Sequence, residues 1–131
     1  MKWALLAIIL AIAVPGGLTA VRKMVYPLRH REYIVEASRE FGVDPFLIAA
    51  MIKVESNYQV RAVSRKGAVG LMQLLPDTAQ EAAIRLGVRG FTTDSLFDPR
   101  TNIRLGTWYL SHLMREFEGD RALSLAAYNG G

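Results

Sequence analysis

Asp44-Pro45-Phe46-Leu47-Ile48-Ala49-Ala50-Met51-Ile52-Lys53-Val54-Glu55 is a nearly unbroken apolar run closed by one acid, with Ser56 immediately after it. Its opening pair sets the conformation. The Asp44 side chain can accept hydrogen bonds from the first helical amides, and Pro45 suits the first helical position because its φ is already helical and no N–H is needed there. Phe46, Leu47, Ile48, Met51, Ile52 and Val54 then occupy nearly the whole circumference, so this helix belongs at the centre of a domain. A carboxyl held against apolar walls loses hydration when it ionises. Its pKa rises, and it can keep a proton near neutral pH for general-acid chemistry. Glu55 is thus the candidate catalytic residue, weighed against the plainer alternative of a solvated acid in a last helical turn.

Outward from this helix the pattern stays helical. Arg31 to Phe41 places Tyr33, Ile34, Ala37 and Phe41 near helical spacing, and Gly42 is placed to end the segment. Pro76 to Leu86 reads as another helix. Asp98-Pro99 repeats the cap-and-proline opening, and Ile103, Gly106, Leu110, Leu113, Met114 and Phe117 follow along one side. Gly119 and Asp120 stop that helix and cap a short apolar one over 121–128. Strand-like alternation is not evident, so the expected class is all-α.

The chain has 131 residues, 51% of them hydrophobic, which suits one helical core and leaves no room for a second domain. With no cysteine, disulfides and Cys-based metal or redox sites are excluded. His30 and His112 stand far apart without a ligand pattern and read as surface or helix-flank residues, so neither a metal nor an organic cofactor is expected. The net charge of +4 suits a wall or membrane surface at least as well as nucleic acid, for which no recognition pattern is present. A monomer is expected.

Trp3 to Val21 is free of charge, interrupted only by Pro15-Gly16-Gly17 and Thr19, and long enough to cross a bilayer as a helix. Residues 1–25 are expected to be an N-terminal transmembrane anchor, the alternative being a signal peptide removed after secretion, for which Leu18-Thr19-Ala20 is a poor cleavage site. Residues 26–32, opened by Tyr26-Pro27, form the expected linker, and 33–131 the folded domain. Arg22, Lys23, Arg29 and Arg31 outweigh Lys2, and a simple positive-inside count would place that domain in the cytoplasm.

Glu55-Ser56, Gly67-Ala68-Val69-Gly70-Leu71-Met72-Gln73 with Pro76-Asp77-Thr78-Ala79, Phe97-Asp98-Pro99-Arg100-Thr101-Asn102-Ile103, and Ala126-Ala127-Tyr128-Asn129-Gly130 stand in this order along the chain. Together they resemble the lytic transglycosylase family, specifically the lysozyme-like catalytic domain of its soluble type, over roughly Tyr33 to Gly131. The resemblance implies cleavage of the β-1,4 bond between N-acetylmuramic acid and N-acetylglucosamine in peptidoglycan, with Glu55 acting as acid and then as base and 1,6-anhydromuramoyl ends as product. No second carboxylate has an apolar setting like that of Glu55, in agreement with such a one-acid mechanism.

The resemblance further implies substrate contacts by Ser56, Met72, Gln73, Tyr128 and Asn129. Met72 would pack a sugar face, Gln73 would offer a donor and an acceptor to an N-acetyl group, and the Tyr128 phenol would bond Glu55. Ser56 reads equally well as a helix-end cap, and Trp108 and Tyr109 as core packing. Family members continue past this point with further helix, so the domain is expected to be C-terminally truncated, with Asn129 near a fraying end. Likeness to membrane-anchored members places the catalytic domain outside the cytoplasm on a single-pass anchor. The alternatives are a muramidase that uses water and a peptidoglycan-binding module without turnover.

Overall fold

The computed structural model describes residues 29–130. In chain order its helices are α1 (Arg31–Phe41), α2 (Pro45–Ser56), α3 (Pro76–Arg85), a 3₁₀ helix (Thr93–Phe97), α4 (Pro99–Glu116) and α5 (Arg121–Gly130). The expected all-α class holds for the described residues. Isolated β-bridges from Val69 to Val63 and to Leu74 tie the α2–α3 loop to itself without making a strand. The expected transmembrane anchor over 1–25 lies outside the described residues, as do residues 26–28 of the expected linker, and α1 already begins at Arg31. Among the described residues, no helix is long and apolar enough to cross a membrane.

The α2 start follows its sequence: Asp44 accepts the Phe46 N–H at 2.8 Å, with Pro45 in the first turn. Leu47, Ile48, Ala49, Ala50, Met51 and Ile52 are all at most 1% exposed, as a helix apolar on every side requires. Asp98 opens α4 in the same way, accepting from the Thr101 N–H at 2.9 Å and from its hydroxyl at 2.7 Å. Around α4 pack α1, α3, α5 and the 3₁₀ helix, while α2 packs on α1.

Glu36 and Glu40, read from the sequence as solvent-side acids, are exposed but not idle. Across the α1–α4 seam Arg100 donates to Glu36 and Arg104 to Glu40, each through two guanidinium nitrogens. Exposed pairs contribute only about 0–1 kcal/mol each. Set one helical turn apart on both helices, they fix the register of the seam more than its stability.

The loop between α2 and α3 meets α4 at closest approach at Gly70. This residue has φ +78°, and a Cβ there would lie 2.3 Å from Asn102 Nδ2 and 2.5 Å from the Leu96 carbonyl oxygen. Gly67 has φ +85° but open space around it. Gly67→Ala is therefore expected to cost about 1–2 kcal/mol from backbone strain alone. Gly70→Ala adds overpacking of about 1–3 kcal/mol, and urea unfolding of the two variants measures the difference; equal losses would contradict the close approach.

Candidate active site

Glu55 lies in the last turn of α2, whose end is sharply made. Asn57 (φ 51°) and Tyr58 (φ 61°) both take the left-handed conformation, and the Asn57 N–H closes on the Lys53 carbonyl. Such a pair is strained. The Tyr58 hydroxyl returns to the Ala49 carbonyl at 3.3 Å, which holds the turn against the helix it ends.

Within this frame the Glu55 carboxyl is shielded. Its Oε1 is buried and has no hydrogen-bond partner, and burial pushes the pKa from 4.5 to about 7. The C-terminal end of a helix opposes a negative charge as well. Holding the pKa near 7 instead of 4.5 destabilises the anion by about 3 kcal/mol. The fully buried side chains of Leu47, Ile48, Met51 and Ile52 on the same helix contribute roughly 1.5–3 kcal/mol each. Helix burial wins easily, so the fold can hold the carboxyl where water would otherwise solvate it.

All twelve acids of the chain are described, and Glu55 differs from the rest. Asp44 is half-buried and caps α2, and the other ten are exposed. No second carboxyl shares the apolar setting. Among the described residues, no three His, Asp or Glu side chains gather where they could hold a metal ion.

Met72 departs from its expected role. Its side chain has no exposed surface, so packing a sugar face is closed to it; it fills the space over Gly106, where a Cβ would stand 2.6 Å from its sulfur. Its backbone is held from two directions. Asn102 Oδ1 accepts its N–H at 2.8 Å, and its carbonyl accepts the Tyr128 O–H at 2.8 Å. The phenol expected to bond Glu55 donates to Met72, which leaves its oxygen lone pairs for the acid. Tyr128 is still beside Glu55: burial and then the Glu55 charge push its pKa well above 10.0. Its ring packs on Tyr109, centroids 5.2 Å apart.

Gln73 (φ 51°) is half-buried and donates through Nε2 to the Ala62 carbonyl at 3.1 Å and the Gly70 carbonyl at 3.0 Å. With both amide hydrogens committed, its expected donor-and-acceptor pairing reduces to accepting at Oε1. Ser56 is buried, and its hydroxyl donates to the Ile52 carbonyl at 3.1 Å, the helix-end alternative. Asn129 is exposed on α5 beside Tyr128. Trp108 is half-buried and stacks on exposed His112, 5.4 Å between centroids.

Asn102 and Gly106 carry no expected role, yet they set the Met72 position. Their signal was present as a polar residue and a glycine one turn apart on an otherwise apolar helical face.

The family model described as Transglycosylase SLT domain matches residues 32–131. Lytic transglycosylase Slt from Pseudomonas aeruginosa, solved as an inactive mutant, is similar over 88% of this chain and 20% of its own, with 35% identity and a TM-score of 0.76. The 70 kDa soluble lytic transglycosylase from Escherichia coli is similar over 99% of this chain and 21% of its own, with 30% identity and a TM-score of 0.77, and its complex with bulgecin A matches equally. The chain spans about a fifth of the length of these proteins.

Because folding raises the Glu55 pKa, the protonated carboxyl favours the fold fully below about 4.5, and that contribution is lost as pH rises towards about 7. Glu55→Gln is expected to leave thermal stability unchanged at pH 4 and to raise it at pH 8, by up to about 3 kcal/mol. Equal melting of the two proteins at both pH values would contradict a desolvated acid.

Proposed function

The chain belongs to the transglycosylase SLT domain family, and on that premise we propose that it is a peptidoglycan lytic transglycosylase with Glu55 as its single acid and base. The observation that carries this reading is the buried, unpartnered Glu55 Oε1, with no other carboxylate oxygen of the described residues so placed. Glycoside hydrolases generally divide the work between two carboxylates. One residue suffices when the sugar supplies its own nucleophile.

Protonated Glu55 gives its proton to the bridging oxygen as the bond from that oxygen to C1 of N-acetylmuramic acid breaks. Ionised Glu55 then takes the proton from the muramoyl C6 hydroxyl, whose oxygen closes on C1. One C–O bond breaks and one forms, the carboxyl ends protonated as it began, and no water is consumed. Tyr128 offers lone pairs to the protonated acid. The Gln73 carbonyl is suited to accept the N–H of an acetamido group, and exposed Asn129 can reach a polymer from outside.

We place the domain outside the cytoplasm on an anchor formed by the apolar segment from Trp3 to Val21, the side on which peptidoglycan lies. Protease added to spheroplasts is expected to digest the domain, and protection until lysis would contradict that location.

Digestion of peptidoglycan in oxygen-18 water tests the chemistry. Unlabelled 1,6-anhydro ends are expected, with the rate falling as pH rises through about 7 and Glu55→Gln losing about 10²–10⁴-fold. Labelled reducing ends would identify a hydrolase, and undiminished cleavage by Glu55→Gln would remove the acid.

A further inference from the structure

Asn102 is a polar side chain with no exposed surface, and such a group is kept in a core only with its bonds made. Its carbonyl oxygen accepts the Met72 N–H at 2.8 Å, and its amide donates to the Val69 carbonyl at 3.0 Å and to the Leu96 carbonyl at 2.9 Å. It therefore joins α4, the end of the 3₁₀ helix and the 69–73 turn at one point. Two glycines make room for the junction. A Cβ on Gly70 would strike Asn102 Nδ2 at 2.3 Å, and one on Gly106, a helical turn beyond Asn102, would strike Met72 Cβ at 2.8 Å.

From Met72 the connection runs to the acid. The Met72 carbonyl takes the Tyr128 O–H at 2.8 Å, and the Tyr128 ring is backed by Tyr109. The left-handed Gln73 (φ 51°), whose N–H bonds the Gly70 carbonyl, leaves the intervening peptide little freedom to turn.

We infer that Asn102 is a positioning residue for Glu55: acting through the Met72 backbone and Tyr128, it holds in place part of the wall over the buried Glu55 Oε1. This rests on the reading of Glu55 as the general acid. Asn102 touches none of the expected substrate contacts except Met72, and that one through the backbone. Shortening its side chain frees the Met72 N–H, lets the 69–73 turn shift as a unit away from α4, and lets the phenol follow the Met72 carbonyl so that water reaches Glu55.

The groups around the acid make its titration a readout of this closure. Tyr128 of α5 is the titratable group that feels the Glu55 charge, Tyr109 stands behind it under the influence of Glu116 and Glu81, and Lys53 on α2 is bonded to Asn57.

The test compares Asn102→Ser with the parent chain, following kcat and KM on soluble peptidoglycan glycan fragments between pH 4.5 and 8.5, with circular dichroism to verify folding. A fall in kcat of about tenfold or more is expected, as for displaced catalytic groups, with KM little changed. The alkaline limb should move down by about half a pH unit or more, since a wetter carboxyl titrates closer to its ordinary value. Combined with Tyr128→Phe, the two losses should overlap and fall short of multiplying.

A folded Asn102→Ser whose alkaline limb stays in place, or whose loss multiplies with that of Tyr128→Phe, overturns the proposal. Should Asn102→Ser fail to fold, Gly106→Ala decides, because its Cβ would push Met72 away from its bond to Asn102 while the Asn102 side chain is kept: a lowered limb supports the proposal and an unmoved one overturns it. Glu55→Gln run alongside keeps the two readings apart. Full activity there removes the acid and this proposal together, whereas an inactive Glu55→Gln with an unmoved Asn102→Ser limb removes this proposal alone.

Discussion

A carboxyl without a hydrogen-bond partner, held in a buried position at the end of an apolar helix, is the constraint on which the rest of the molecule depends. Left to itself the carboxyl would turn to water; in the half-buried Glu55 the fold walls off one of its oxygens, Oε1. Part of that wall is Tyr128, brought from the far end of the chain to where it feels the Glu55 charge, and the helix that carries the acid is buried over Leu47 to Ile52. Protonation is the response that physical chemistry allows a carboxyl so placed, and a carboxyl protonated at neutral pH is what departure of a sugar oxygen needs.

Holding that wall requires rigidity in a loop, and here the loop is fixed by backbone groups. Met72 is bonded at its N–H by Asn102 and at its carbonyl by Tyr128, while Gln73 gives both amide hydrogens to backbone carbonyls. Gly70 and Gly106 permit the close approach that a side chain would block. Five of the eleven residues with positive φ among those described lie along the same path: Asn57 and Tyr58 after the acid, then Gly67, Gly70 and Gln73. Strain of this kind persists where surrounding bonds over-determine the chain, and the surrounding bonds here are those that fix the site.

The main helices were legible because their signals are local. Two Asp-Pro openings, an apolar helix circumference and the stop at Gly119-Asp120 are all contained within a few turns of chain, and Glu55 could be singled out from its neighbours alone. The 3₁₀ helix over Thr93–Phe97 was missed because it is short and rests on a reciprocal Thr92–Ser95 cap. The partners of the site residues were not legible either. Tyr128 finds Met72 across 56 positions, and Arg100 and Arg104 find their glutamates across 64. The family resemblance made Met72 a sugar contact and Tyr128 a hydrogen-bond partner of Glu55. Three-dimensional packing buried the first and turned the hydroxyl of the second to the backbone.

The most direct measurement is a carbon-13 NMR titration of the Glu55 side-chain carboxyl in the folded protein, assigned by its loss in Glu55→Gln. A midpoint near 7 is expected from its burial. A midpoint near 4.5 would mean that water reaches the carboxyl freely, and the account of Glu55 as a desolvated acid would be wrong.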